Sequence, residues 1–195
     1  MARGLLPQGG SLGTWTVRGI VGTMFPLLII LSILEMGSGF VLEELEETYL
    51  GNPTLLVLVP VMIDMGGNLG SILSSRLSTR LHLGLVELHP RNKAIWINII
   101  AILALAATIF TLLGLSAYGV GLIIGAPMPL LTLLTISLAS GMILAVVAIV
   151  LSLFATYISY HRGLDPDDTT IPIVTNLCDI LGVIILSAVA IIVLG

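Results

Sequence analysis

The chain has 195 residues, of which 57% are hydrophobic and only 9% charged, with a net charge of −4. A soluble domain carries about 25% charged residues, so this sequence belongs in a bilayer, and its class is an all-α polytopic membrane protein. The seven Lys and Arg form no cluster that could track phosphates, which excludes nucleic acid, and the one cysteine, Cys178, excludes a disulfide framework or a cysteine-based metal site.

A spanning helix needs about 20 mostly apolar residues. Five segments qualify: 19–42, 54–82, 94–118, 128–158 and 170–194. Residues 1–14 lack the order of a signal peptide and read as a short Gly-rich cytoplasmic lead. Residues 15–195 read as a single transmembrane domain, with no soluble domain expected on either side. Five spans put every Lys and Arg on one side: Arg3, Arg18, Arg76, Arg80, Arg91, Lys93 and Arg162. The other side receives Glu43, Glu44, Glu46 and Glu47. The positive-inside rule then places the N-terminus in the cytoplasm and the C-terminus outside, in the cell membrane. Five spans have no internal two-fold symmetry, so a symmetric pathway requires a second copy, and a two-fold homodimer is the expected assembly.

The first segment contains Pro26 and Glu35. Counted from residue 19, Glu35 lies roughly 24 Å from the inner surface, near the outer mouth. It reads either as a carboxylate snorkelling to the headgroups or as a cation ligand at that mouth. The Glu43–Glu47 run reads as a solvated helix end, or as a charge cluster that concentrates cations there.

The second segment is the richest. Asp64, Asn68, Ser71, Ser75, Ser78 and His82 recur at intervals of three and four, which places them on one helical face. Such a stripe belongs against a bundle interior or an aqueous path, not lipid. Gly66, Gly67 and Gly70 permit close helix packing, or free backbone carbonyls as ligands. Arg76 and Arg80 read as cytoplasmic anchors and His82 as an interfacial residue. In the third and fourth segments Asn98, Ser137, Ser140 and Gly141 read as helix contacts. The fourth exceeds the bilayer and is expected to tilt or project. The turn before the fifth segment carries Asp165, Asp167 and Asp168. Asp168 or Thr169 is the expected cap, with Pro172 in the first turn.

In the fifth segment Thr175, Asp179 and Gly182 share a face, with Asn176 one turn from Asp179. Asp179 lies about 14 Å from the inner surface, and Asp64–Asn68 about 15–21 Å from the outer one. In a hydrocarbon core of about 30 Å both sets fall near the midplane. A mid-membrane acid is costly unless it faces protein or water, so Asp179 is either a cation site or a protonated acid bonded between helices. The converging groups are carboxylate, amide and hydroxyl oxygens, hard donors suited to Mg²⁺, with Mn²⁺ or Ca²⁺ as related choices. So few charges suit Mg²⁺ held through its waters.

These residues resemble a known family. Pro60, Asp64, Gly66-Gly67-Asn68 and Gly70-Ser71 resemble the P-x-x-x-D-x-G-G-N-x-G-S segment of the MgtE magnesium channels. Arg76–Thr79 and Asp165–Gly182 are similar to the related solute carrier family 41. The resemblance implies a five-helix protomer, a homodimer and a Mg²⁺ pathway on the dimer axis lined by the second and fifth helices. It makes Asp179 the central pore carboxylate, with Thr175, Asn68, Ser71 and Ser75 at neighbouring positions. One departure is Ile72, which follows Ser71 where the family carries glutamine. Others are the cytoplasmic regulatory domains of MgtE and the fused halves of the solute carriers; with one half present, homodimerisation is the expected substitute for fusion. Divalent-cation transport, not enzymatic activity, is therefore expected, with an Na⁺- or H⁺-coupled exchanger as the alternative to a channel. An intramembrane aspartyl hydrolase using Asp64 and Asp179 is a further alternative, though no G-x-G-D run accompanies it. A structural subunit, its polar stripe serving only as glue, is the last.

Overall fold

The computed structural model describes residues 16–84, 92–162 and 166–195. All elements among them are helical: α1 (Val17–Glu44), α2 (Glu46–Gly51), α3 (Pro53–Leu56), α4 (Leu58–His82), α5 (Lys93–Ile123), α6 (Leu130–His161) and α7 (Pro166–Leu194). Five stretches are long and apolar enough to cross a membrane, with α3 and α4 forming one of them, Pro53–Leu81.

Local chemistry sets the helix ends. Thr16 caps α1 by accepting from the Gly19 amide at 3.1 Å, and Asn92 caps α5 by accepting from Ala94 at 3.0 Å. The α5–α6 turn needs Gly125, at φ +74°, so that the Ala126 amide can reach back to Gly121 O at 3.0 Å. Gly84, at φ +65°, closes α4 in the same left-handed conformation. α7 is already helical at Pro166, a turn before the expected start, because a proline's fixed φ suits a first helical position. Pro172 consequently lies inside the helix, and Thr169 is not a cap: its hydroxyl bonds Ser159 of α6 at 2.9 Å. Asp165 and the side chains of Asp167, Asp168 and His82 lie outside the described residues.

Small residues set the packing. α4 runs parallel to α6, with Met62 beside Ser140, Gly66 against Leu144, and Gly70 against Ala148 and Ser152. It runs antiparallel to α7, with Met62 against Gly182, Gly67 against Thr175, and Gly70 against Val174. α5 and α6 lock where the Phe110 ring covers Gly141 and Ser137 donates to Phe110 O at 2.7 Å. The glycines of α4 thus serve close packing, and the helix continues unbroken through them. α1 packs chiefly on α7, and Leu31 is its one buried hydrophobic residue among those described. The short α2 is tied to α7 through Tyr49, whose hydroxyl meets Ser187 at 2.8 Å. Burial pushes the Tyr49 phenol above its usual value, and the Ser187 bond offsets part of that rise.

Candidate cation site

The site forms where α4 and α7 meet. Gly67 leaves room for the α7 backbone and side chains: a Cβ there would stand 2.8 Å from Thr175 Cγ2 and 3.2 Å from Asp179 Oδ1. Asp179 therefore lies directly beside the Asp64–Ser71 turns. The Ser71 hydroxyl donates to its own helix at Gly67 O, 2.8 Å, and meets Thr175 Oγ1 at 3.0 Å. Asn68 donates from Nδ2 to Asp64 Oδ2 at 2.9 Å. That bond orients the amide with its carbonyl oxygen free to accept or to coordinate.

Exposure divides these residues. Asp179 is only 9% exposed, Ser71 and Thr175 are half-buried, and Asp64, Asn68 and Ser75 are exposed. The second-segment stripe is accordingly not uniform, for Ser78 is fully buried. Ser75 stays on the exposed face about two turns, roughly 10 Å, beyond Asn68. Asn176 is half-buried and donates from Nδ2 to Pro172 O of its own helix at 3.0 Å.

Glu35, expected near the outer mouth, is carried by α1, which packs on α7, the helix that carries Asp179. Three carboxylates thus come from three neighbouring helices, α1 and α4 both packing on α7. Among the described residues, however, no three His, Cys, Asp or Glu close into a metal-binding group. Oxygens arranged in this way suit an ion that keeps its water shell. The Glu43–Glu47 run lines an open pocket with Phe40 at the α1–α2 junction.

Sequence reasoning missed two bonds flanking the site. Ser152 of α6 donates to Gly70 O at 2.9 Å, and Arg76 Nε donates to Asn98 Oδ1 of α5 at 2.7 Å. The small-residue stripe on α4 signals the first; nothing in the sequence pairs Arg76 with Asn98.

An oxygen-lined face bearing acids thus lies midway along a helical unit with five membrane-length stretches, the class of a polytopic helical membrane protein. The chain belongs to the MgtE family of divalent cation transporters, whose family model matches residues 59–189. It is also similar to solute carrier family 41 member 3 of Mus musculus, 28% identical over 179 residues. That match covers 84% of this chain, which spans 36% of the relative's length. No solved structure matches. Members of this family are transporters, not enzymes, so the aspartyl-hydrolase reading is not carried forward.

Proposed function

We propose that the chain transports Mg²⁺ across the cell membrane as a two-fold homodimer, through a pathway that α4 and α7 of the two copies build between them. Residues 15–195 form the transmembrane unit, preceded by a cytoplasmic lead at 1–14, with the C-terminus outside. The observation that carries this reading is the exposed polar face of α4. Asp64 and Asn68 are exposed on a membrane-spanning helix, next to the buried Asp179. Lipid cannot cover a carboxylate and an amide at that depth without a large cost, whereas a second copy and a file of water can.

In this reading hydrated Mg²⁺ enters past Glu35 and Asp64, whose charges raise its local concentration. Two Asp179 carboxylates then face the ion across the axis. Asn68 Oδ1 and the Ser71 and Thr175 hydroxyls accept hydrogen bonds from its water shell or replace single waters. Like-charged acids around the path exclude anions. Ser75 continues the polar lining toward the cytoplasm.

Flux in proteoliposomes with Mg²⁺, Mn²⁺ and Ca²⁺ tests this. Asp179→Asn is expected to lower Mg²⁺ flux at least about tenfold, since it removes the central charge, worth roughly 1.4 kcal/mol or more to the permeating ion. Full flux in Asp179→Ala would sink the proposal. The coupled-exchanger reading draws on the relative's description as a solute carrier; flux that requires an imposed Na⁺ or proton gradient would select it over a channel.

A further inference from the structure

We infer that the α4–α5 corner formed by Arg76, Arg80 and Lys93 binds the phosphate of an anionic phospholipid headgroup. The inference depends on the chain lying in a bilayer, but not on which ion is transported.

The corner is separate from the cation face. At about 100° per residue, Asn68 and Ser75 lie within about 40° of Asp64 around α4, whereas Arg76 and Arg80 lie about 120° and 160° away. Both lie away from the path, and Arg76 points toward α5, where it meets Asn98. The Arg76–Asn98 bond fixes the register there: α4 and α5 run antiparallel, as Thr54 packing against Gly121 at their other ends also requires. One turn further on, Arg80 comes opposite the first turn of α5, where Lys93 is exposed. None of these three cations has a carboxylate partner among the described residues.

Asn98 makes the difference between a binding site and an anchor. A basic residue that merely snorkels to the interface needs no fixed geometry. Arg76 has one. Asn98 is 2% exposed, and its amide is held by an Nδ2 bond to Ala94 O at 2.7 Å. The oxygen of that fixed amide takes the guanidinium Nε at 2.7 Å. A buried amide is costly unless its polar atoms are used, and here one is used to aim an arginine that makes no ion pair among the described residues. The bond occupies Nε and leaves both Nη groups presented outward with no partner among the described residues. That free edge is the bidentate fork that matches phosphate. Arg76 is six residues from the end of α4, about 9 Å along the axis. At that depth a headgroup phosphate is the anion within reach, and basic pockets between helices on the cytoplasmic side bind such headgroups.

The test is lipid retention by the intact, delipidated protein in detergent, read by native mass spectrometry with phosphatidylglycerol or phosphatidylcholine added. Wild type is expected to retain phosphatidylglycerol preferentially. Arg76→Gln should weaken that retention roughly tenfold, the scale of one charge-assisted bidentate contact. Asn98→Leu should weaken it less, because the charge stays but its aim is lost. Arg162→Gln, which alters an exposed arginine elsewhere, should change nothing. Equal loss in Arg162→Gln, or wild-type retention in Arg76→Gln, would overturn the site in favour of diffuse surface charge. Displacement by excess inorganic phosphate would overturn the lipid as ligand. Should Arg76→Gln fail to fold, Arg76→Lys keeps the charge without the fork, and undiminished retention there would equally refute the site.

Discussion

α4 and α1 differ in a way that composition alone inverts. The second span, Pro53–Leu81, has the lower mean hydropathy, 1.7, yet 44% of its most apolar stretch is buried; α1 has 2.1 and only 6%. In water the more hydrophobic helix would be the more buried one. In a bilayer lipid solvates apolar side chains, so burial goes to the helices with small residues and polar groups that lipid cannot satisfy. α4 has both. Gly66, Gly67 and Gly70 let α6 and α7 approach, and Asp64, Asn68 and Ser71 require partners. α1 packs on α7 and carries Glu35 within its span.

Glycine substitutions probe this contrast most strongly. A Cβ at Gly70 would collide with Val174 Cγ1 in the tightest part of the α4–α7 contact, whereas one at Gly37 or Gly39 of α1 has nothing within 4 Å. Gly70→Ala should destabilise by about 1–3 kcal/mol, the usual cost of overpacking a tight core. Gly37→Ala should be neutral or stabilising by up to about 1 kcal/mol through helix propensity. Reversible unfolding in bicelles measures both. A cost at Gly37 equal to that at Gly70 would mean that the open face of α1 is covered by another protein surface, not by lipid.

The next contrast is between the acids. Glu35→Gln removes a charge from α1, which packs on the helix that carries Asp179. It should reduce Mg²⁺ flux at low concentration by about twofold to fivefold, through local ion concentration, and leave saturating flux unchanged. Asp179→Asn should lower both. A saturating-flux defect in Glu35→Gln as large as that of Asp179→Asn would move Glu35 from the approach to the central site.

Much of this arrangement was legible beforehand, for definable reasons. Five long apolar runs marked the helices, because a bilayer demands uninterrupted helical length. Counting 1.5 Å per residue along oppositely directed spans put Asp64–Asn68 and Thr175–Asp179 at one depth, and the contact of Gly67 with Thr175 and Asp179 is the physical form of that agreement. Depth along one helix does not report which neighbour it meets, so the packing of α1, with Glu35, on α7 had no such signal. The polar stripe was also overextended: Ser78 shares the helical angle of Asp64 but is buried. The Arg76–Asn98 bond joins residues whose types carry no mutual signal, so only the antiparallel register of α4 and α5 reveals it.

The smallest effect lies within the buried seam itself. The α4–α6 register that pairs Gly66 with Leu144 and Gly70 with Ser152 carries Ser74 to the level of Ser152 and Thr156. Ser74 Oγ and Thr156 Oγ1 are both buried and without a hydrogen-bond partner. The cause at Ser74 is specific. A helical serine usually donates to the carbonyl four residues earlier, here Gly70 O, but Ser152 already donates to that atom at 2.9 Å. Ser152→Ala should therefore cost about 0.5–1 kcal/mol, because Ser74 can turn to Gly70 O and recover part of the lost bond. Ser74→Ala should cost nothing or stabilise slightly, since it removes a buried hydroxyl that is not bonded. The double variant should cost more than the two single effects together, because the replacement donor is gone. A cost for Ser74→Ala alone equal to that of Ser152→Ala would show instead that a buried water satisfies the Ser74 hydroxyl.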